Sequence, residues 1–268
     1  MIFNIKHKKI ILCLLAAISI FIAANIVKLD GRCYFRFCTE VFLDNCTNED
    51  AKKLQTMPFI NSLVIRNCEA ENIDFVKSKK NLTNLSILKY SGDWAPLKNC
   101  NKLKSFDVTN STFDNLTYFS EMEQLENLNF SFISYDVKIY SINGIEKLKS
   151  LRFLSLNGVK EENVSLIADL TALNTLSIMN SDISFLDIDL NELKYLALKN
   201  NQNIQTCSFS DRCVSLEEIT IEHCSNIAIN INEIINLPKL KKVTVSKGVF
   251  TEKEIAELRL NDIKVELL

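Results

Sequence analysis

The chain has 268 residues, of which 31 are Lys or Arg and 33 are Asp or Glu, for a formal net charge of −2. This near balance excludes the strongly basic surface that is typical of nucleic-acid-binding proteins. Glycine and proline are few, and we find no low-complexity segment that would mark a linker between domains.

The N-terminal segment differs in composition from everything that follows it. Lysines at positions 6, 8 and 9 precede an apolar run, IILCLLAAISIFIAANIV, over residues 10–27. As a helix this run would span about 27 Å, close to the roughly 30 Å hydrocarbon core of a bilayer, and the lysines favour a cytoplasmic N-terminus. We therefore predict a single transmembrane signal-anchor with the remaining chain outside the membrane. The alternative is a cleaved signal peptide and a secreted protein.

One short phrase recurs along nearly all of the remaining chain. Its first, fourth and sixth positions are apolar, as in LKYLALKNN from Leu193. Eleven copies, spaced 20 to 26 residues apart, begin at Cys38, Ile60, Leu82, Leu103, Leu125, Leu151, Leu173, Leu193, Leu216, Leu240 and Leu260. A regular period of this length is the signature of a solenoid, in which each repeat is one unit of a stack.

The phrase resembles the leucine-rich repeat, L-x-x-L-x-L-x-x-N/C-x-L, over residues 38–268. The short period and segments such as WAPLKNCNKL (94–103) are similar to the bacterial internalin-like subclass. The resemblance implies an α/β fold, a curved right-handed solenoid of about 11 repeats. It would have a parallel sheet on its concave side and short helical turns on its convex side, and it would bind a protein partner on the concave sheet or its flank.

The periodicity also predicts which way each strand residue points. Residues two apart in a strand share a face, so the fourth and sixth positions of the phrase turn toward the core. The third, fifth and seventh positions take the opposite face. One repeat alone cannot offset an ordering entropy of about 1–2 kcal/mol per residue, so only a stack is stable.

Both ends of the solenoid carry helix signals. Thr47 begins TNEDAKKL within the first, irregular copy, and Thr251 with Glu254 forms a capping box before EIAELRL. Lys264 and Glu266, on the outer face of the last predicted strand, would discourage a further strand from pairing there. We divide the chain into a cytoplasmic tip with the anchor or signal (1–29), an N-terminal cap with the first irregular repeat (30–59) and the leucine-rich-repeat domain (60–268).

Most of the nine cysteines fit the repeat itself. Five occupy positions that turn inward and are predicted to be small buried side chains: Cys46, Cys68, Cys100, Cys213 and Cys224.

A disulfide near the N-terminal cap is a separate prediction, made for a chain that faces an oxidising exterior. A bridge within the group Cys33, Cys38 and Cys46 is one pairing. Cys46 with Cys68, at equivalent positions of adjacent repeats, is the other.

Catalytic signals are scarce. The chain has two histidines, His7 and His223, and it lacks the HExxH, P-loop and G-x-G-x-x-G motifs. The spacing of Cys207, Cys213, His223 and Cys224 matches no zinc motif. We therefore predict no catalytic residue, no metal and no cofactor; a hydrolase or redox protein built on His223 and the cysteines is the least favoured alternative.

Large side chains interrupt the small polar residues of the outward strand positions in the middle copies. Phe153, Met179 and Tyr195 fall on three consecutive predicted strands, with Lys199 nearby. Aromatic and Met side chains that cluster on a polar surface are typical anchors of a protein contact. The alternative is that they are large residues scattered by chance.

The 26-residue repeat supplies a second candidate contact. Its extra residues fall near SYDVKIYSING, which includes Tyr135 and Tyr140. Insertions in repeat proteins often project from one flank, although a wider convex turn would also account for them.

The sequence thus predicts a non-enzymatic extracytoplasmic protein-binding module of the recognition or adhesion type, tethered to the membrane or secreted across it. Its partner would be an unidentified protein, with membrane contact through residues 10–27 and no nucleic acid. The alternative is a structural or assembly subunit of a surface complex that uses the edge of the solenoid.

Overall fold

The computed structural model describes residues 2–131, 139–160 and 164–268, with side chains from Leu12 onward. Within these residues the main sheet contains eleven parallel strands, and each strand lies in one of the eleven copies of the phrase. The strands are β3 (Glu40–Leu43), β4 (Ser62–Ile65), β5 (Asn84–Leu88), β6 (Ser105–Thr109), β7 (Asn127–Ser131), β8 (Phe153–Asn157), β9 (Thr175–Met179), β11 (Tyr195–Lys199), β13 (Glu218–Glu222), β14 (Lys242–Val245) and β15 (Lys264–Leu267). Their order in the sheet follows the chain from β3 to β15, so each repeat adds one strand beside the last.

The strands bury their fourth and sixth phrase positions, as predicted. Leu63, Leu85, Phe106 and Leu128 pair side by side in one continuous inner row. None of the four is more than 2% exposed. The row is continuous because the strands pair in register, which places the same phrase position of adjacent repeats side by side.

The chain leaves each strand through a sharp turn. The eighth phrase position adopts a left-handed φ in six copies, a conformation that Gly and Asn tolerate best. The residues are Lys89, Asn110, Gly158, Asn180, Asn200 and His223.

The ninth position then turns inward and satisfies backbone groups of the neighbouring repeat. Ser181 Oγ accepts from the Val159 N–H at 3.1 Å, and Asn201 Oδ1 accepts from the Ser181 N–H at 2.9 Å. Asn201 Nδ2 also donates to the Ile178 carbonyl at 2.9 Å. A buried backbone group without a partner would cost about 1–3 kcal/mol, which explains why small polar residues recur at this position.

The arcs between strands are only partly helical. Five of them contain the predicted helical turns, as short 3-10 helices: Asp74–Ser78, Ala95–Asn99, Thr117–Phe119, Ile145–Lys147 and Ser165–Asp169. The prediction is wrong for two later arcs, where β10 (Phe185–Ile188) and β12 (Thr206–Phe209) pair in parallel. Residues of β10 alternate between exposed and buried, which is the period of a strand rather than of a helix. Helix α3 (Ile231–Ile235) follows in the next arc.

The N-terminal cap begins at Ile26. Strands β1 (Ile26–Leu29) and β2 (Arg32–Phe35) form an antiparallel hairpin around an Asp–Gly turn. Its inner face buries Val27 and Leu29 in the core. The division that we placed after residue 29 therefore falls inside this hairpin. Helix α2 (Asn48–Leu54) completes the cap and starts at the predicted capping residue, Thr47.

The last repeat is displaced by two residues from the predicted alignment. Helix α4 (Glu252–Leu260) begins with the predicted capping box but continues through Leu260, which is 84% exposed. Lys264 pairs with Lys242, so the final phrase starts at Asp262. A shift of two residues preserves the face of every side chain, and Lys264 and Glu266 therefore stay on the outer face as predicted.

Helix α1 (Ile2–Ala24) contains most of the N-terminal apolar run. The predicted helix over 10–27 is too long at its C-terminal end, because Ile26 and Val27 belong to β1. Within the part of the chain whose side chains are described, no helix combines the length and apolarity that a bilayer crossing requires.

Candidate functional site

One face of the main sheet, called the open face below, carries the third, fifth and seventh residues of each phrase. In the first half of the sheet these residues are mostly small and polar, and they bond to one another across the strands. Asn129 Nδ2 donates to Asp107 Oδ1 at 2.8 Å, and the hydroxyls of Thr109 and Ser131 are 2.8 Å apart. Such a surface stays hydrated and offers a partner few anchors.

Two aromatic side chains change the character of the open face near its middle. Phe153 and Tyr195 both pair with Thr175, one from each side. They therefore lie two strands apart, at about 10 Å. Tyr195 is 42% exposed and Phe153 is partly exposed. The Thr175 side chain lies between the two rings in this row of the sheet.

Met179 and Lys199 lie at the opposite end of the same group of strands. They pair with each other four residues beyond the aromatic row, about 13 Å along the strand. Lys199 Nζ is 2.9 Å from the Glu222 carboxylate. The predicted cluster is thus two pairs, an aromatic pair and a Met–Lys pair, separated by Ser177 and Ala197.

A groove of about 570 Å³ lies where β8 and β9 begin. Its lining residues are Arg152, Phe153, Ala172, Asn174, Thr175 and Glu192. Arg152 is exposed, and among the described residues its side chain has no hydrogen-bond or ion-pair partner. The alternation of strand residues does not single out Arg152, because it lies outside the outward strand positions. The second phrase position, one residue before the strand, borders the same surface.

Paired charges cover the last strands of the open face. The Glu266 carboxylate lies 2.7 Å from Lys242 Nζ and 2.6 Å from Lys264 Nζ, and these hydrogen bonds lower its pKa to about 2. Beside them, Lys241 Nζ is 2.7 Å from Glu217, and this hydrogen bond lowers the pKa of the Glu217 carboxyl. Exposed pairs of this kind add little stability, but they leave the sheet beyond Tyr195 largely neutralised.

The second predicted contact is only partly described. Tyr135 lies outside the described residues. Tyr140 is 54% exposed, and its backbone N–H donates to the Phe113 carbonyl at 3.0 Å. The preceding residue, Ile139, bridges Phe113 and Val159. Tyr140 therefore belongs to a ladder beyond the strand ends and not to the open face.

The structure describes all nine cysteines, and each is a free thiol. The five predicted inward positions are buried. Of the predicted disulfide group, Cys33 is exposed, Cys38 is half-buried and Cys46 is buried. The backbones of Cys46 and Cys68, in adjacent repeats, pair as an isolated parallel β-bridge. A hydrogen bond between the two thiols, together with burial, raises the pKa of the Cys46 thiol.

His223 occupies a strand-end turn. Its φ is 51° and its side chain is 64% exposed, with Nδ1 3.7 Å from Glu222. The next residue, Cys224, is buried, and its Sγ lies 3.7 Å from the Leu198 carbonyl. The imidazole and the thiol therefore face different environments. In the described part of the chain, no three His, Cys, Asp or Glu side chains are grouped so that they could hold a metal ion.

Solved structures of other proteins are similar to this chain over most of its length. Internalin C2 of Listeria monocytogenes aligns with 80% of this chain and 85% of its own, with a TM-score of 0.50 at 16% sequence identity. A second internalin of that organism covers 88% of this chain and 89% of its own (TM-score 0.48, 16% identity). A leucine-rich-repeat protein of Leptospira interrogans covers 85% of this chain and 89% of its own (TM-score 0.48, 12% identity). No protein-family model matches the sequence, and no curated protein matches it. The stack of in-register parallel strands and its similarity to internalin C2 show that this chain has the leucine-rich-repeat fold.

Proposed function

We propose that this chain is a non-enzymatic protein-binding module that displays its repeats outside the cytoplasmic membrane. The observation that carries the proposal is the pair of aromatic rings on the open face, Phe153 and Tyr195, beside a groove lined by Arg152, which has no side-chain partner in the described part of the chain. Exposed aromatic and arginine side chains are the residues that most often dominate the binding energy of protein interfaces.

The surroundings of this pair support a contact centred there. The first half of the sheet bonds to itself through small polar groups, and the last strands pair their own charges. Among the described residues, the middle of the open face combines exposed apolar area with a bordering cation, Arg152, whose side chain has no described polar partner. Met179 and Lys199 would extend the contact along the strands, and Tyr140 would belong to a separate flank.

Display outside the membrane is supported by the N-terminal helix. The lysines at positions 6, 8 and 9 favour a cytoplasmic start, and α1 exposes apolar side chains such as Leu12, Ile20 and Phe21. In this proposal α1 holds the chain at the membrane, and the repeats face a partner protein on the outer side. Secretion after cleavage would leave the open face and its partner unchanged.

The test compares variants of the full chain for binding to a partner captured from surface extracts and then purified. Replacing Phe153 and Tyr195 together by Ser should weaken binding by at least about tenfold, or roughly 1.4 kcal/mol. The matched control is Phe185→Ser, which removes a side chain that is 50% exposed but lies on β10, away from the open face.

Two outcomes would contradict the proposal. Equal loss of binding in the control and in the double variant would show that general apolar exposure drives capture. Loss of binding only on charge reversal at Lys264 and Glu266 would move the contact to the edge of the sheet and favour an assembly subunit.

A further inference from the structure

A second group of exposed apolar side chains lies on the N-terminal cap. Its members are Ile26, Phe35, Phe37 and Phe59, which are 46%, 40%, 42% and 48% exposed. The ring centroids of Phe35 and Phe37 are 5.3 Å apart, and those of Phe37 and Phe59 are 5.7 Å apart. Ile26 pairs directly with Phe35 in the hairpin. These four residues, called the cap patch below, therefore form one continuous surface.

The fold does not account for the cap patch. Strand residues alternate between faces, and the inward positions of β1 are already filled by the buried Val27 and Leu29. The outward positions add nothing to that core. Contiguous aromatic surface that a soluble domain leaves exposed usually marks a contact with a partner.

The cap patch is joined to the C-terminal end of α1. Asn25, the residue after the helix, accepts a hydrogen bond at its carbonyl from the Arg36 N–H at 2.7 Å. Its side-chain amide donates to the Phe21 carbonyl at 2.8 Å. These bonds hold the end of α1 against the stretch that carries Phe35 and Phe37, so the helix and the patch are not separated by a flexible linker.

Helix α1 exposes apolar side chains along its described length. Each of the following is at least 48% exposed: Leu12, Leu14, Leu15, Ile18, Ile20, Phe21 and Ile22. A helix that is apolar on all sides is stable only where other protein or lipid surrounds it. The cap patch thus continues an apolar surface that itself requires a non-aqueous environment.

Two basic residues lie beside rings of the cap patch in the sequence. Lys28 is exposed and shares the outward face of β1 with Ile26, and Arg36 lies between two of the rings in sequence. Asp30 is the one acidic residue in the segment 25–39. Its Oδ2 accepts from the Asp44 N–H at 2.7 Å, which directs the carboxylate toward the first repeat. Aromatic rings with Lys and Arg at the end of an apolar helix suit the headgroup region of an anionic bilayer.

We propose that the cap patch is a lipid-contact surface, seated in the headgroup layer of the phospholipid bilayer that receives α1. The inference rests on the membrane attachment in the proposed function. It adds that the cap is fixed against the lipid surface through Ile26, Phe35, Phe37 and Phe59, with Lys28 and Arg36 facing anionic headgroups. The solenoid would then be held at the membrane in a fixed orientation.

The experiment uses the full chain in vesicles of phosphatidylcholine and phosphatidylglycerol, with and without lipids brominated near the headgroup. Trp94 is the sole tryptophan, and its buried indole N–H has no hydrogen-bond partner among the described residues. A Trp94→Phe background therefore removes a donor that the fold does not use. Single tryptophans are then introduced by Phe59→Trp in the cap patch, Ile18→Trp in α1 and Phe185→Trp on β10 as the matched control.

The proposal expects brominated lipid to quench the emission of the Phe59→Trp and Ile18→Trp variants. The Phe185→Trp variant, six repeats beyond the first and roughly 30 Å away by strand spacing, should keep its emission. Circular dichroism of each variant establishes that the repeats remain folded.

Three results would overturn the inference. Quenching of Ile18→Trp without quenching of Phe59→Trp would leave the anchor intact and remove the lipid contact of the cap. Blue-shifted Phe59→Trp emission without bromine quenching would mean that protein, such as a second copy, covers the patch. No quenching of Ile18→Trp would remove both the anchor and the inference. None of these results depends on the partner-binding variants, so failure of the lipid contact can be distinguished from failure of partner binding at the open face.

Discussion

Lys79 occupies a slot that other repeats fill with apolar side chains such as Met57, Met122 and Leu148. It is 1% exposed, and its Nζ donates to the Leu54 carbonyl at 2.5 Å and to Ser78 Oγ at 2.9 Å. Leu54 ends α2, where the helix dipole favours a cation. Burial nevertheless lowers the pKa of Lys79 to about 8, so the charged form is destabilised in the folded chain.

Replacing Lys79 by Met should therefore stabilise the protein at neutral pH. The shift from an ordinary lysine pKa of 10.5 to about 8 corresponds to about 3 kcal/mol at most. Allowing for the lost hydrogen bonds, we expect the free energy of unfolding to rise by about 2 kcal/mol at pH 7. The Leu54 carbonyl still accepts from the Met57 N–H at 3.0 Å, so no acceptor is orphaned. Urea unfolding followed by circular dichroism measures the difference.

The advantage of the Lys79→Met variant should shrink as the pH rises. Between about pH 8 and pH 10.5 the unfolded lysine binds more protons than the folded one, so wild-type stability increases relative to the variant. The control is Lys77→Met in the same 3-10 helix, which removes an exposed lysine paired with Asp74. It should change stability by less than about 1 kcal/mol throughout. A stability difference that stays constant from pH 7 to pH 11 would refute the assignment.

At the scale of elements, the hairpin of β1 and β2 closes the N-terminal end of the core. Val27 and Leu29 are 6% and 0% exposed. Asp30 links the hairpin to α2 and to the first repeat, because its N–H donates to Asp50 Oδ1 at 3.1 Å and its carboxylate accepts from the Asp44 N–H. The hairpin therefore protects the first repeat, whose outer side would otherwise lack a neighbour.

A fragment that starts at residue 30 should be markedly less stable than one that starts at residue 25. Each buried side chain that is lost contributes about 1.5–3 kcal/mol, so removal of Val27 and Leu29 should cost about 3–6 kcal/mol. Urea midpoints of the two fragments provide the measurement. Lys28→Ser in the longer fragment is the control, since Lys28 is exposed in the same strand. Equal midpoints for the two fragments would show that the hairpin lies outside the folding unit.

The elements that the sequence failed to predict share a physical cause. The Asp–Gly turn of the hairpin is a good hairpin signal, but strands of four residues beside it carry too little periodicity to stand out. The sequence does not distinguish a final phrase that starts at Leu260 from one that starts at Asp262, because a displacement of two residues leaves the alternation of a strand unchanged. Only the pairing of Lys264 with Lys242 distinguishes the two alignments.

At the scale of the whole molecule, the regular spacing of the apolar phrase predicted the sheet and its inner row. The same pattern of buried and exposed positions occurs in every copy, so each copy supports the prediction made from the others. The candidate site occurs once and has no such repetition. Phe153 and Tyr195 could be placed in one row from the sequence alone. Arg152 could not be included, because the groove beside it depends on how the edges of adjacent repeats meet.

The stack as a whole should tolerate the loss of one complete copy. Deleting 173–192 joins Ala172 to Leu193, so the next phrase begins where the deleted one did and β8 can pair with β11 in register. Since each repeat contacts mainly its neighbours, the shortened chain should still unfold cooperatively. Its urea m-value should fall by about a tenth, because that share of the buried surface is lost.

Deleting only 173–182 is the matched control for that experiment. It removes β9 but leaves the arc that contains β10, so the strand and the arc of successive repeats no longer alternate. Residues of β10 would then occupy the place of a main-sheet strand, and the left-handed turn at Asn180 would be lost. We expect this chain to lack a cooperative transition by circular dichroism. Equal behaviour of the two deletions would mean that the repeat is not the unit of folding.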